Sequence, residues 1–274
     1  MRLRLPGAEH LRAGLSMPDG PDPVDGQGAA IDCGACRHRS RRGPGQCGPG
    51  WACVQDRYSR RIERFFLLNP DLADACLTMP YFEARAQAAR FATLFRLPPL
   101  LDDPDPAVRA VAILRLPATH AARRLNDPDR TVRVAVAHRL APGDLLPLLS
   151  DRDGYVRLVA VRRIETGALP LMLRDPDPEI RAAVAERIGP AWLVHCLTDP
   201  EPLVRRVAAR RIQADRLHAL ADDPDLRVRH AAAERAPERL ARLMLADPEP
   251  LIRETAAKRL AALADRKDND DADR

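Results

Sequence analysis

One stretch, DPDPEIRAAVAERIGPAWLVHCLT from Asp175 to Thr198, returns every 24 residues without insertion or deletion. Its opening aspartate recurs at Asp103, Asp127, Asp151, Asp175, Asp199, Asp223 and Asp247. A fixed period of this length excludes a single closed core and demands a solenoid, in which each unit packs on its neighbours. Arginine fills the seventh place of every unit (Arg109, Arg133, Arg157, Arg181, Arg205, Arg229, Arg253) and the thirteenth (Arg115, Arg139, Arg163, Arg187, Arg211, Arg235, Arg259).

The punctuation inside a unit has a physical reading. An acid at the third place (Asp105, Asp129, Asp153, Asp177, Glu201, Asp225, Glu249), often followed by proline, is an N-cap before a first helical residue. A cap contributes ~1 kcal/mol and glutamate caps less well, so the helices behind Glu201 and Glu249 should start more weakly. Ile180, Ala183, Val184 and Ile188 then fall at helical spacing and predict an α-helix of about ten residues. The rest of the unit, from Gly189-Pro190 to the next Asp-Pro, leaves room for one or two turns, for which the tighter 3₁₀ form is expected. No period-two alternation predicts a strand.

Repetition in every unit assigns the charges to architecture. A first-place aspartate and a seventh-place arginine form a ladder of charge-assisted hydrogen bonds, within a unit or between neighbours. The thirteenth-place arginine lies near the apolar face in the last helical turn, so its stem should be buried and its guanidinium satisfied by carbonyls or by the acid ladder. The eighth and twelfth places are expected to face outward. In the first three units they are Ala110, Leu114, Val134, His138, Leu158 and Arg162, and the apolar ones predict a cover such as the N-terminal segment folded back over them.

The chain divides by composition. Residues 1–30 are Pro- and Gly-rich and read as an irregular arm. Residues 31–65 hold the cysteines and a helical stretch from about Arg57 to Leu68 begins there. Residues 66–102, with a further helix over about 81–95, read as a degenerate capping repeat, since Arg85 keeps the seventh-place register. Seven repeats occupy 103–264, and 265–274 form an acidic, frayed tail. No run of 18 apolar residues and no secretory h-region occurs, which predicts a cytoplasmic protein without a membrane span.

Cys33, Cys36, Cys47 and Cys53 lie within 21 residues in the spacing C-x2-C-x10-C-x5-C. Four clustered thiols outside a secretory context point to a metal site. A tetrahedral zinc and an iron–sulfur cluster both accept four cysteines; C-x2-C favours zinc slightly, whereas the C-x5-C half is rare in zinc ribbons. His38 is expected beside the ligands and not among them, and Cys76 and Cys196 occupy the apolar slot filled by Leu148, Met172, Leu220 and Met244, so both read as core thiols. From Cys33 to Phe65 eight arginines stand against Asp56 and Glu63, a local balance of +6 beside +5 for the whole chain. Such charge suits anionic thiolates, or docking of an acidic protein or nucleic acid.

With the DPDPxVRxxVAxRL unit and a preceding arginine-rich four-cysteine segment, the chain resembles the leucine-rich repeat variant proteins of nitrogen-fixing bacteria over nearly its whole length. The resemblance implies an all-α fold, a right-handed superhelical solenoid alternating α- and 3₁₀-helices, preceded by a small metal-cluster segment. It also implies a [4Fe–4S] cluster on Cys33, Cys36, Cys47 and Cys53, which displaces zinc to second choice.

No nucleophile–base pair, phosphate-cradling loop or carboxylate pair emerges, and His10, His38, His120, His138, His195, His218 and His230 are scattered. The expectation is a non-enzymatic scaffold that binds a protein partner and carries a redox-capable cluster, with a link to nitrogen fixation. A nucleic-acid-binding HEAT-like array and an electron-transfer protein are the alternatives.

Overall fold

The computed structural model describes residues 20–272, with side chains to 265; the first 19 positions of the expected arm, His10 among them, lie outside the described residues. Two compact units divide at Leu140, and each is taken by itself. No strand occurs among the described residues; isolated bridges (Val24 with Ala30, Asp25 with Asp56, Gly48 with Ala52) brace the N-terminal loops.

The first unit opens with those loops and continues through α1 (Ser59–Leu68), α2 (Ala73–Cys76), α3 (Phe82–Phe91), α4 (Pro106–Arg115), α5 (Ala118–Ala122) and α6 (Arg130–Arg139). The helix expected over 81–95 stops at Phe91; the chain extends at Ala92 and turns again in 3₁₀ form at Leu94–Arg96. Ile62, Phe65 and Phe66 of α1 are fully buried, and Phe66 stacks on Phe91 of α3 at 6.0 Å.

The second unit contains α7 (Gly154–Arg163), α8 (Pro178–Arg187), α9 (Pro190–Leu193), α10 (Pro202–Ala209), α11 (Leu226–Ala233), α12 (Glu238–Met244) and α13 (Pro250–Ala272). Between them run 3₁₀ turns, notably Leu146–Ser150, Thr166–Met172, Val194–Thr198 and Ala214–Leu220. The second half of a repeat is therefore 3₁₀ in several units, and α-helical in others. Pro147 and Pro170 sit inside 3₁₀ turns, where they cannot continue an α-helical ladder. Ala-rich α5, and α12 with its i,i+4 pair between Glu238 and Arg242 at 2.7 Å, take the α form. In α13 the backbone stays helical through Ala272, across the stretch expected to fray.

Capping follows the sequence closely. Asp105, Asp129, Asp153, Asp177 and Asp225 each accept the N–H two residues on, while Glu201 makes no side-chain cap bond. One methylene more moves the glutamate carboxylate past the N2 amide.

Both ladders form, each between neighbouring repeats. The seventh-place arginine grips the aspartate of the following repeat with a two-pronged bond, in Arg85–Asp103 and Arg109–Asp127 of the first unit and in Arg157–Asp175, Arg181–Asp199, Arg205–Asp223 and Arg229–Asp247 of the second. The N–O distances run between 2.6 and 3.3 Å. Its remaining Nη1 donates to the carbonyl of its own repeat's first-place residue, as in Arg109 to Asp103 and Arg181 to Asp175, both at 2.8 Å. Each first-place aspartate also accepts the N–H two residues on, closing the turn that enters the helix. Burial works against the charge of Asp103, Asp127 and Asp247, yet the arginine bond and that N–H outweigh it and hold all three below the ordinary carboxylate range.

The thirteenth-place arginine reaches back to the carbonyls that end the previous repeat's helix. Arg115 donates to Ala89 and Ala92 at 2.8 Å each, Arg187 to Val161 and Ile164, Arg211 to Ala185, and Arg235 to Ala209. These carbonyls have no partner inside their own helix, so a neighbouring cation satisfies them. The side chains are half-buried, apart from Arg211, which is exposed.

The outward assignment of the eighth place is corrected: Ala110, Leu158 and Ala182 are buried and Val134 is half-buried. That place lies on the helix flank, where α4 packs between α3 and α6 and α8 between α7 and α10. The twelfth place does face solvent, and Leu114 stays 51% exposed, so the cysteine segment does not cover it.

Candidate metal centre

The C-x2-C half is curled by its neighbour. Asp32 Oδ1 accepts the N–H groups of Gly34 at 2.7 Å and Ala35 at 3.3 Å, a side-chain turn that folds Cys33 and Cys36 toward one side. The C-x5-C half works differently. Gly48 N–H donates to Ala52 O at 2.7 Å and Ala52 N–H to Gly48 O at 3.1 Å, so the five intervening residues close on themselves and bring Cys47 and Cys53 together. Gly50 turns that loop at φ 81°, and a Cβ on Gly48 would meet the Trp51 indole at 2.2 Å.

Helix α1 is the splint for these loops. Arg64 donates to Trp51 O at 2.9 Å, the Cys53 amide donates to Arg61 O at 3.1 Å, and the fully buried Arg61–Asp56 pair at 3.1 Å sits beneath Cys53. Just past its end, fully buried Asn69 donates through one Nδ2 to Gln46 O at 2.8 Å and to Phe65 O at 2.9 Å, fastening the residue before Cys47 to the helix. Sequence reasoning passed over Asp32, Arg61, Arg64 and Asn69. An aspartate directly before Cys-Gly was the legible signal for the first; the others act across more sequence than any motif spans.

Cys33, Cys36, Cys47 and Cys53, all free thiols, line one cavity of about 350 Å³ including its open mouth, together with Ile31, His38, Arg39, Arg42, Gly48 and Phe65. Among the described residues no carboxylate lines it. Burial raises the Cys53 thiol to about 12; burial and the nearby Cys36 and Cys33 also raise Cys47, against the pull of Arg42 and Arg41. Burial thus disfavours bare thiolates at Cys47 and Cys53, and a bound cation would offset that cost. Among the described residues no three His, Cys, Asp or Glu side chains converge on a single ion position. The four sulfurs border the same cavity.

His38 is buried at this site. Its amide N–H donates to Cys36 Sγ at 3.4 Å, its carbonyl lies 3.9 Å from Cys47 Sγ, and its ring tilts on Phe65. Burial first, and then Arg37 and Arg41, lower its pKa, so the ring stays neutral. Cys76 is fully buried behind it, 3.8 Å from His38 Nε2, and accepts from Arg37 Nη2 at 3.6 Å. Cys196 is buried in the second unit, where burial raises its thiol to about 11.

Residues 23–75 match the family described as LRV protein FeS4 cluster. A Rhodobacter capsulatus protein described as an uncharacterized 27.7 kDa protein in the nifB 3' region is 63% identical over 105 residues, which span 38% of this chain and 43% of that protein. A solved leucine-rich repeat variant, described as having a novel repetitive structural motif, matches with a TM-score of 0.78 and 40% identity over 84% of this chain and 99% of the other. No helix among the described residues is long and apolar enough to cross a membrane. The repeat, its alternating helices and the cysteine segment ahead of them thus agree with one another and with these relatives: the chain belongs to the leucine-rich repeat variant proteins, repeat proteins with an iron–sulfur cluster domain.

Proposed function

We propose that Cys33, Cys36, Cys47 and Cys53 hold a [4Fe–4S] cluster and that the chain is a non-enzymatic scaffold whose binding of a protein partner depends on that cluster. The observation that carries the reading is the convergence of these four free thiols on one cavity braced by α1. Such a cluster supplies one-electron redox chemistry when bound. Asp32 orients the first two cysteines, the Gly48–Ala52 closure and Asn69 orient Cys47, and the Arg61–Asp56 pair supports Cys53. The His38 amide N–H donates to Cys36 Sγ and fixes that sulfur's position.

A nucleic-acid array is the weaker reading, because the repeated arginines are committed to aspartates and carbonyls, and aromatic content is only 4%. The nifB neighbourhood of the Rhodobacter relative makes nitrogen fixation the context in which to seek the partner. The test is partner capture from a nitrogen-fixing host's extract, by full-length protein with the cluster intact and by the Cys33→Ser/Cys36→Ser variant. Capture by the first alone supports cluster-dependent binding; equal capture by both removes it.

A further inference from the structure

The arginines of the cysteine segment are not equivalent. Arg61 is spent on Asp56 and Pro21 O, Arg64 on Trp51 O, Arg41 on Asp71, and Arg37 on His38, Ala75 O and Cys76. Arg39 and Arg42 form part of the cavity wall and are exposed; Arg39 has only a 3.5 Å contact with Gly34 O. Arg57, in the turn after Cys53, and Arg60, in the first turn of α1, are exposed as well.

A cluster does not use up this charge. The local balance is +6 from Cys33 to Phe65, and Asp71 takes one unit through Arg41. Four thiolates around a doubly positive iron–sulfur core carry about −2 in all, which leaves a surplus of roughly +3 over this segment. The seventh- and thirteenth-place arginines are held in the two ladders, whereas Arg39 and Arg42 stand exposed at the opening that leads to the sulfurs.

We infer that the exposed Arg39 and Arg42 at the mouth of this cavity form the docking face for an acidic protein that comes within electron-transfer reach of the cluster. This deepens the scaffold reading and rests on it. Compactness favours a protein over nucleic acid: a polynucleotide follows an extended basic row with stacking platforms, whereas Arg39 and Arg42 flank one opening. A rim of exposed like charges acts chiefly on encounter rate and salt dependence.

The test measures binding of the full-length, anaerobically purified protein to two probes, an acidic plant-type ferredoxin and a single-stranded oligonucleotide, at low and physiological ionic strength. Arg39→Glu/Arg42→Glu is compared with Arg216→Glu/Arg239→Glu, an equal charge change at exposed sites of the second unit. The expected result is ferredoxin binding that weakens with salt and falls about tenfold in the rim variant alone. Undetectable ferredoxin binding, equal loss in both variants, or tighter binding of the oligonucleotide overturns the docking face. Iron and sulfide are assayed on every sample: a wild type without a cluster defeats the scaffold reading itself, whereas a loaded protein indifferent to the rim change defeats only this inference.

Discussion

Arg109 holds Asp127, 18 residues away, with both edges of its guanidinium, Nε to Oδ2 at 3.0 Å and Nη2 to Oδ1 at 2.9 Å, while its Nη1 clasps the Asp103 carbonyl at 2.8 Å. One side chain thus ties the turn that opens its own repeat to the turn that opens the next. In a solenoid, stability is approximately a sum of repeat and neighbour terms, and this clamp is the polar part of the neighbour term. Arg85 performs the same task for the capping repeat, bonding Met79 O at 2.9 Å where the repeat has no aspartate of its own.

Arg109→Ala should therefore cost about 3–5 kcal/mol, because it leaves buried Asp127 without its fork. Arg109→Lys keeps the charge, loses the planar two-pronged geometry and should recover less than half of that loss. Urea unfolding followed by circular dichroism reads both. A lysine variant as stable as wild type would show that charge alone suffices.

The clamps also set the acid limit. Asp103, Asp127 and Asp247 sit below their ordinary value in the folded protein. A depressed folded pKa contributes stability that is fully present above the unfolded value of about 3.9 and is lost as pH falls through the folded values. Stability should be flat from neutrality to about pH 5 and drop below about pH 4. Asp127→Asn should be less stable at neutral pH and shallower in its acid dependence; an unchanged acid slope would contradict the assignment.

Glu201 occupies a cap position without making the cap bond that its aspartate counterparts make. Glu201→Asp should stabilise the chain by ~1 kcal/mol, and Asp177→Glu should destabilise it by a similar amount. Thermal melts of the two single variants and of the double variant test this, the double falling near wild type if the sites act independently.

Asn69 fastens the Cys47 loop to α1 from a fully buried position. Asn69→Ala should weaken that fastening by about 1–3 kcal/mol and speed loss of visible cluster absorbance to a chelator, with the ladders intact. Hydrogen exchange should show new opening at residues 46–53 and none in α8–α11. Chelator kinetics unchanged from wild type would remove Asn69 from the site.

The repeat, both arginine ladders and the caps were readable because they recur: a role repeated at fixed spacing announces itself as architecture. What the spacing left open was direction. That Arg109 reaches forward to Asp127 while Arg115 reaches back to Ala89 follows from how neighbouring helices stack, not from spacing along the chain. The eighth place was misjudged for the same reason, since Leu158 is buried on a helix that packs against its neighbour in the stack. At the metal centre the cysteines were plain, but their supports were not. Asn69 and Gln46 stand 23 residues apart and meet only because α1 lies under the loop.

The most direct measurement is iron and acid-labile sulfide per chain in anaerobically purified protein, with visible and paramagnetic resonance spectra, for wild type and for serine variants of each cysteine. About four irons and four sulfides are expected in wild type, in Cys76→Ser and in Cys196→Ser, and their loss on changing Cys33, Cys36, Cys47 or Cys53. One zinc per chain, or a full cluster surviving any of those four changes, would contradict the assignment of this cavity.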